Sequence, residues 1–179
     1  MCALWKTTPP KSHEIFHGII VLRRETTEGR GGAHMKIEST AFGHEGKIPS
    51  QYTCDGENIH PPLSFSAVPS QTRSLVLVVD DPDAPSGTWV HWLLWNMSLQ
   101  VKSMGEGVTP QGATEGTTSF GATGYGGPCP LDGEHRYFFK LYALDVEIEL
   151  PKETTKEKLE EVMLGHVLDK GELIGYYGK

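Results

Sequence analysis

No stretch of this sequence reaches the roughly 18 consecutive apolar residues that a membrane-spanning helix requires. The best N-terminal candidate, Ile15 to Leu22, is interrupted by His17 and Gly18 and is followed, not preceded, by Arg23-Arg24. That order is wrong for a secretory signal, and no small-residue cleavage site follows, so a cytoplasmic protein is expected. Basic runs are scarce as well. Beyond Arg23-Arg24 there is none, and the net charge of −7 argues against a nucleic-acid partner, which needs a dense Lys/Arg face. A small anion remains compatible, because a local pocket need not share the sign of the whole surface. Cysteine is sparse too: Cys2, Cys54 and Cys129 do not make a disulfide scaffold, and whether Cys54 and Cys129 meet is left open.

What is present is punctuation. The chain has 21 glycines and 12 prolines in 179 residues, a length that suits one domain. Residues 1–34 stand apart: "TTPPKSH" and "ETTEGRGGAH" are breaker-rich and aperiodic, and Met35 opens a strand-like "MKIES". The expectation is an N-terminal extension over 1–34, disordered or non-native, followed by a folded domain over 35–179.

Within that domain short apolar runs alternate with turn residues. Strands are expected at Met35–Ser39, Leu63–Ala67, Ser74–Asp80, Trp89–Met97 and Arg136–Asp145, with a weaker one at Val146–Leu150. Ser74–Asp80 and Trp89–Met97 are apolar nearly throughout, which predicts burial on both faces. The linkers are too short for crossover helices, so the sheet should be largely antiparallel. Near the end, Thr154 and Glu157 form a capping box, and Leu159, Val162, Met163, His166 and Val167 share one helical stripe, with Gly171 as a stop. The expected architecture is a mostly-β antiparallel sandwich with one or two peripheral helices.

Two polar clusters carry chemistry. In "VVDDPDAPSGTWVHW" (78–92), Pro82 and Pro85 cannot donate to a ladder, so the strand ends near Asp80 and Asp81 and Asp83 lie in a strand-end loop. His91 falls inside the next strand, with Trp89, Leu93 and Trp95 on its face and Trp92 on the other. In "GYGGPCPLDGEHRY" (124–137), Pro128 after Gly126-Gly127 rules against a phosphate loop that opens into a helix. The Pro-Cys-Pro step fixes the backbone and admits a cis peptide. His135 and Tyr137 then share one strand face, and Arg136 takes the other.

Several readings fit these residues. Asp81, Asp83, His91 and His135 could form a metal site, but Asp-Pro-Asp lacks a known ligand spacing. Cys129 with His135 as base would make a thiol hydrolase, although a Pro-flanked cysteine gains no helix N-terminus to lower its pKa. A small-anion pocket uses the histidines, the tyrosine hydroxyl and glycine N–H groups as donors, with Asp81 orienting a histidine and apolar walls around them. The bland alternative is a set of satisfied interior polar residues at a loop junction.

The segments "YTCDGENIHPPLSF", "DDPDAPSGTWVHW", "FGATGYGGPCPLDGEHRYFFKLYALD" and "ELIGYYGK" resemble, in order, the phosphatidylethanolamine-binding protein (PEBP) family, also called Raf kinase inhibitor-like proteins. The likeness is to its bacterial and archaeal branch. It implies a Greek-key β-sandwich and a surface pocket for small anions such as a phospholipid head group. On this resemblance Asp81, Trp89, His91, Gly127, Pro128, His135 and Tyr137 line the pocket, while Asp83, Pro82, Pro85 and Arg136 support it. No catalytic residue, metal or cofactor is implied. His60, Phe65, Leu131 and Val90 depart from the family pattern, and the chain ends soon after Tyr177, which puts the eukaryotic lid helix in question. The expected partner is a phosphate or phospho-headgroup. A kinase or protease inhibitor acting through the pocket rim is the alternative, an uncharacterised hydrolase a weaker one, and the oligomeric state is left open, a homodimer included.

Overall fold

The computed structural model describes residues 34–178, together with the backbone of two short paired strands, β1 (Glu14–Phe16) and β2 (Ile19–Val21). The expected extension over 1–34 otherwise lies outside the described residues. Nine further strands follow in chain order: β3 (Lys36–Glu38), β4 (Gly46–Lys47), β5 (Leu63–Ser66), β6 (Ser74–Asp81), β7 (Trp89–Met97), β8 (Ser103–Met104), β9 (Thr114–Glu115), β10 (Glu134–Leu144) and β11 (Val167–Gly178). One α-helix among the described residues, α1 (Lys156–Met163), precedes β11.

A six-stranded sheet, in the order β4-β11-β10-β6-β7-β9, faces a three-stranded sheet, β3-β5-β8. Every pairing is antiparallel except the two-residue contact of β4 with β11. Leu75, Leu77 and Val79 of β6 point towards the small sheet, into a core with Ile37, Phe65, Trp92, Phe139 and Leu173. Val76 and Val78 point the other way, into a second core with Leu93, Trp95, Tyr142, Leu159 and Met163 under α1. Covering both faces explains why all eight residues of β6 are buried and why its sequence lacks alternation.

The C-terminal region departs from expectation. The helix begins at the N-cap Thr155, one residue after the expected cap, and stops at Met163. Gly165 at φ +80° reverses the chain there, so His166 and Val167 leave the helical stripe and Val167 starts β11. Gly171 is no helix stop. It sits in β11 where a Cβ would lie 2.8 Å from the Met35 carbonyl oxygen, so its lack of a side chain lets β3 approach. Val146–Leu150 is not a strand. Its Ile148 main chain bonds to the Asn96 side chain instead, donating to Oδ1 at 2.8 Å and accepting from Nδ2 at 2.7 Å. No cis peptide occurs among the described residues, so the Pro-Cys-Pro step is trans.

Candidate functional site

The ends of β6, β7 and β10 converge on one cavity. Asp81 closes β6, and Trp89, its cross-strand partner, opens β7. The intervening loop is folded by an Asx turn, in which the Asp83 N–H donates to Asp81 Oδ1 at 2.8 Å. Asp83 then pins the loop to β10: Arg136 donates from Nε at 2.8 Å, from Nη2 at 2.6 Å and from its backbone N–H at 3.0 Å. The guanidinium holds the Asp83 carboxyl at about 2, below the ordinary 3.8. Arg136 therefore acts on the loop, away from the cavity lining.

His91 reaches the cavity through an irregularity. Val79 pairs with Trp92 and Asp80 with Val90, which leaves His91 as an extra residue in a β-bulge. Strict alternation would put His91 with Leu93 and Trp95. The bulge instead separates it from them, since they join the core under α1, and sets its ring 5.2 Å from that of Tyr137, edge to face. A second edge contact comes from Phe120 at 5.4 Å.

Both histidine rings are held by Nδ1. The Nδ1–H of His91 donates to the Gly126 carbonyl at 2.6 Å, and the Gly126 N–H donates back to the His91 carbonyl at 2.9 Å. A Cβ at Gly126 would run into the Phe120 ring, so a larger residue there would displace that ring from the cavity wall. The Nδ1–H of His135 donates to Asp81 Oδ2 at 2.8 Å, an arrangement that fixes the ring and leaves Nε2 as its free nitrogen. Burial pushes the His91 pKa down, against the nearby Gly126 carbonyl and the Asp81 charge. Burial, then the Asp81 and Asp83 charges, push the Tyr137 hydroxyl up, so it remains an O–H donor.

The cavity has a volume of about 390 Å³, in the range of small-ligand sites. Asp81, Trp89, His91, His135, Tyr137 and Pro85 line it, joined by Ala84, Ser86, Phe120, Cys129, Pro130 and Leu131. No Lys or Arg is among them. Gly127 and Pro128, expected in the wall, are not lining residues: the Gly127 N–H donates to Asn58 Oδ1 at 2.7 Å and the Pro128 carbonyl accepts from the Cys54 N–H at 3.0 Å. Phe120 and Leu131 were missed from sequence. Phe120 lies in a segment without periodicity and becomes a wall residue only through its ring contacts with Trp89 and His91.

Cys129 forms a disulfide with Cys54, with Cα atoms 5.4 Å apart, so neither sulfur is a free thiol nucleophile in this structure. Among the described residues no group of three or more His, Cys, Asp or Glu is arranged to hold a metal ion. No helix among them is long and apolar enough to cross a membrane.

Comparisons with known proteins identify the family and the fold. Residues 38–178 match the phosphatidylethanolamine-binding protein family. A UPF0098 protein of Methanothermobacter thermautotrophicus is 48% identical over 148 residues, covering 80% of this chain and 98% of its own, and one of Pyrococcus abyssi is 43% identical over 158 residues, covering 83% and 88%. Among solved structures, a PEBP homologue from Chlamydia trachomatis has a TM-score of 0.79 at 44% identity, covering 82% of this chain and 98% of that one. Escherichia coli YbcL, described as a member of the mammalian PEBP family, has a TM-score of 0.77 at 27% identity, covering 82% and 99%. The chain belongs to the phosphatidylethanolamine-binding protein family.

Proposed function

We propose that the cavity binds a small anion, the phosphate group of a metabolite, head group or modified side chain, and that the protein acts by binding it. The observation that carries this reading is the pair of histidines. Each commits Nδ1 to a protein acceptor, and both line the same cavity, which leaves two Nε2 atoms for a ligand. The Tyr137 and Ser86 hydroxyls add donors, and Trp89, Phe120, Pro85 and Pro130 exclude water around them. Both rings are oriented by these bonds and line one cavity, which places them to meet a ligand there.

Titration of the protein with inorganic phosphate or phosphoethanolamine tests it. The ring NMR signals of His91 and His135 should shift saturably. Their staying fixed up to about millimolar ligand, a weak but measurable affinity range, rejects the reading.

A second reading has one observation in its favour. Leu131 is 89% exposed and Phe120 48% exposed, both at the cavity mouth, and such apolar rims suit protein contacts. A kinase or protease inhibitor docking through this rim would lose its partner on Leu131→Asp while keeping phosphate binding.

A further inference from the structure

One aromatic side chain is buried outside both cores. Phe138 lies on the face of β10 that carries Arg136, Lys140 and Tyr142, opposite the core-facing Tyr137, Phe139 and Leu141. Under α1 the second core takes in Val76, Val78 and Tyr142, without Phe138 or its cross-strand neighbour Ile174. Phe138 is nevertheless only 8% exposed, and Ile174 is half-buried. Arg136 and Lys140 approach the Phe138 ring at 5.6 and 5.2 Å, and Tyr176 pairs with Arg136 on β11. The result is an apolar pair framed by cations, on the side of the large sheet away from β3, β5 and β8.

The first hairpin of the chain stands beside this face. β2 lies next to β11, and β1 and β2 form a two-stranded sheet of their own. Phe16 pairs with Ile19 across the two residues His17-Gly18, and a two-residue connection with glycine second suits a tight turn. Five of the six strand residues are apolar: Ile15, Phe16, Ile19, Ile20 and Val21. A hairpin of this size is at best marginally stable alone in water, so it needs a surface to lie on. The tether favours this surface. Met35 is fixed at β11, where its N–H donates to Asp169 Oδ2 at 2.9 Å. The twelve residues 22–33 then span at most about 40 Å, which holds the hairpin at high local concentration near β11. The family match begins at residue 38, so the hairpin precedes the family domain.

We propose that the Phe138–Ile174 face is a docking surface and that its occupant is the chain's own Glu14–Val21 hairpin, laid on β11 as a strap. Tyr137 faces the cavity from the next position on β10, so strap and cavity use opposite faces of one strand.

Amide hydrogen exchange in the full chain tests this. Ile19 and Val21 should exchange about tenfold or more slowly than in a synthetic peptide of residues 12–24, because a docked hairpin opens rarely and a free one does not stay closed. Ile20→Asp lies outside the family domain and spares its fold. It should return both amides to the peptide rate and shift the amide signals of Phe138 and Ile174. In a mixture of ¹³C-labelled and ¹⁵N-labelled chains, nuclear Overhauser contacts between the Ile20 methyls and β11 amides should arise within one chain. Exchange at the peptide rate in the unaltered protein, or Phe138 and Ile174 signals unmoved by Ile20→Asp, would overturn the docking. Contacts found only between chains would overturn the assignment of the occupant and give the face to a second copy's hairpin.

Discussion

Asp80 and Asp81 are consecutive on β6, and their carboxylates serve opposite faces of the sheet. Asp80, fully buried under α1, takes Lys140 and Lys156, each at 2.6 Å. Asp81 takes His135 at 2.8 Å at the cavity. Strand alternation alone produces this division. One carboxylate docks the helix and the other orients a cavity histidine, so the two adjacent positions should separate stability from binding.

Replacing Asp80 with Asn leaves two ammonium groups facing a neutral amide in a buried site. Removing one partner of a buried ion pair costs about 3–5 kcal/mol. Urea unfolding of Asp80→Asn should show a loss of that size, with phosphate affinity nearly unchanged in the folded fraction. Asp81→Asn should do the reverse. Its stability loss should be smaller, about 1.5–3 kcal/mol, the range for hydrogen bonds to a charged group, while phosphate affinity falls. A large binding loss in Asp80→Asn with Asp81→Asn intact would reverse the assignment.

The Asp83–Arg136 pair gives a signed pH dependence. The folded pKa of Asp83 is about 2 and the ordinary value is 3.8, so the unfolded chain takes up the proton first. Its contribution is complete above the ordinary value and disappears as pH falls through the folded one. Arg136→Ala removes the largest cause of the shift, the guanidinium, and keeps the backbone N–H bond to Asp83. Denaturation midpoints of wild type and Arg136→Ala should differ at pH 5 and converge towards pH 2. The gap should be small, because Arg136 is half-exposed and water screens the pair.

Much of this site was legible in the sequence, and the limits have specific causes. Asp81, His135 and Tyr137 follow from strand ends and period-two alternation, which local sequence carries. His91 keeps the expected strand and its company with Trp89 at the cavity, but a one-residue bulge, which leaves no mark in composition, parts it from Leu93 and Trp95. Gly127 looked like a donor until Asn58, 69 residues away in sequence, claimed its N–H. The helix ends earlier than its stripe predicts because "HVLDKGELIGYY" keeps apolar residues at spacings that suit both periods. Gly165 was the signal that decided it, being the residue able to take the positive φ that ended the helix. Of the short strands β4, β8 and β9, two residues each, none has enough length for a period.

His60 offers a second pH effect, of a different origin. It stacks on Trp92 at 4.6 Å, donates from Nδ1 to the Pro61 carbonyl at 2.9 Å, and buries Nε2 with no partner. Burial lowers its pKa below the ordinary 6.5. The unfolded chain therefore binds the proton first, and stability present above that value is lost as pH falls towards the folded pKa. His60→Phe keeps a ring on Trp92 and removes the titration. Its unfolding free energy should depend less on pH just below 6.5 than that of wild type. Some slope should persist, because the His91 pKa is lowered in the same direction. An unchanged slope would show that His60 does not titrate differently in the two states.

The Cys54–Cys129 disulfide joins the segment after the Ser50–Tyr52 turn to the Gly-Pro-Cys-Pro wall, across 75 residues of sequence. Both cysteines are exposed, so thiol reductants have access, and Cys129 is itself a lining residue. A closed loop of this length restricts the unfolded chain by about 4 kcal/mol in the chain-entropy account. The paired Cys54→Ser, Cys129→Ser protein should lose stability on that scale. The hydrogen bond from the Cys54 N–H to the Pro128 carbonyl, at 3.0 Å, still connects the two segments without the sulfur bridge. His91 and His135 are anchored to Gly126 and Asp81, not to the cysteines. Phosphate affinity should therefore fall only slightly while the denaturation midpoint drops sharply. Equal losses in both would mean that the bridge, and not the hydrogen bonds behind it, holds the cavity wall in place.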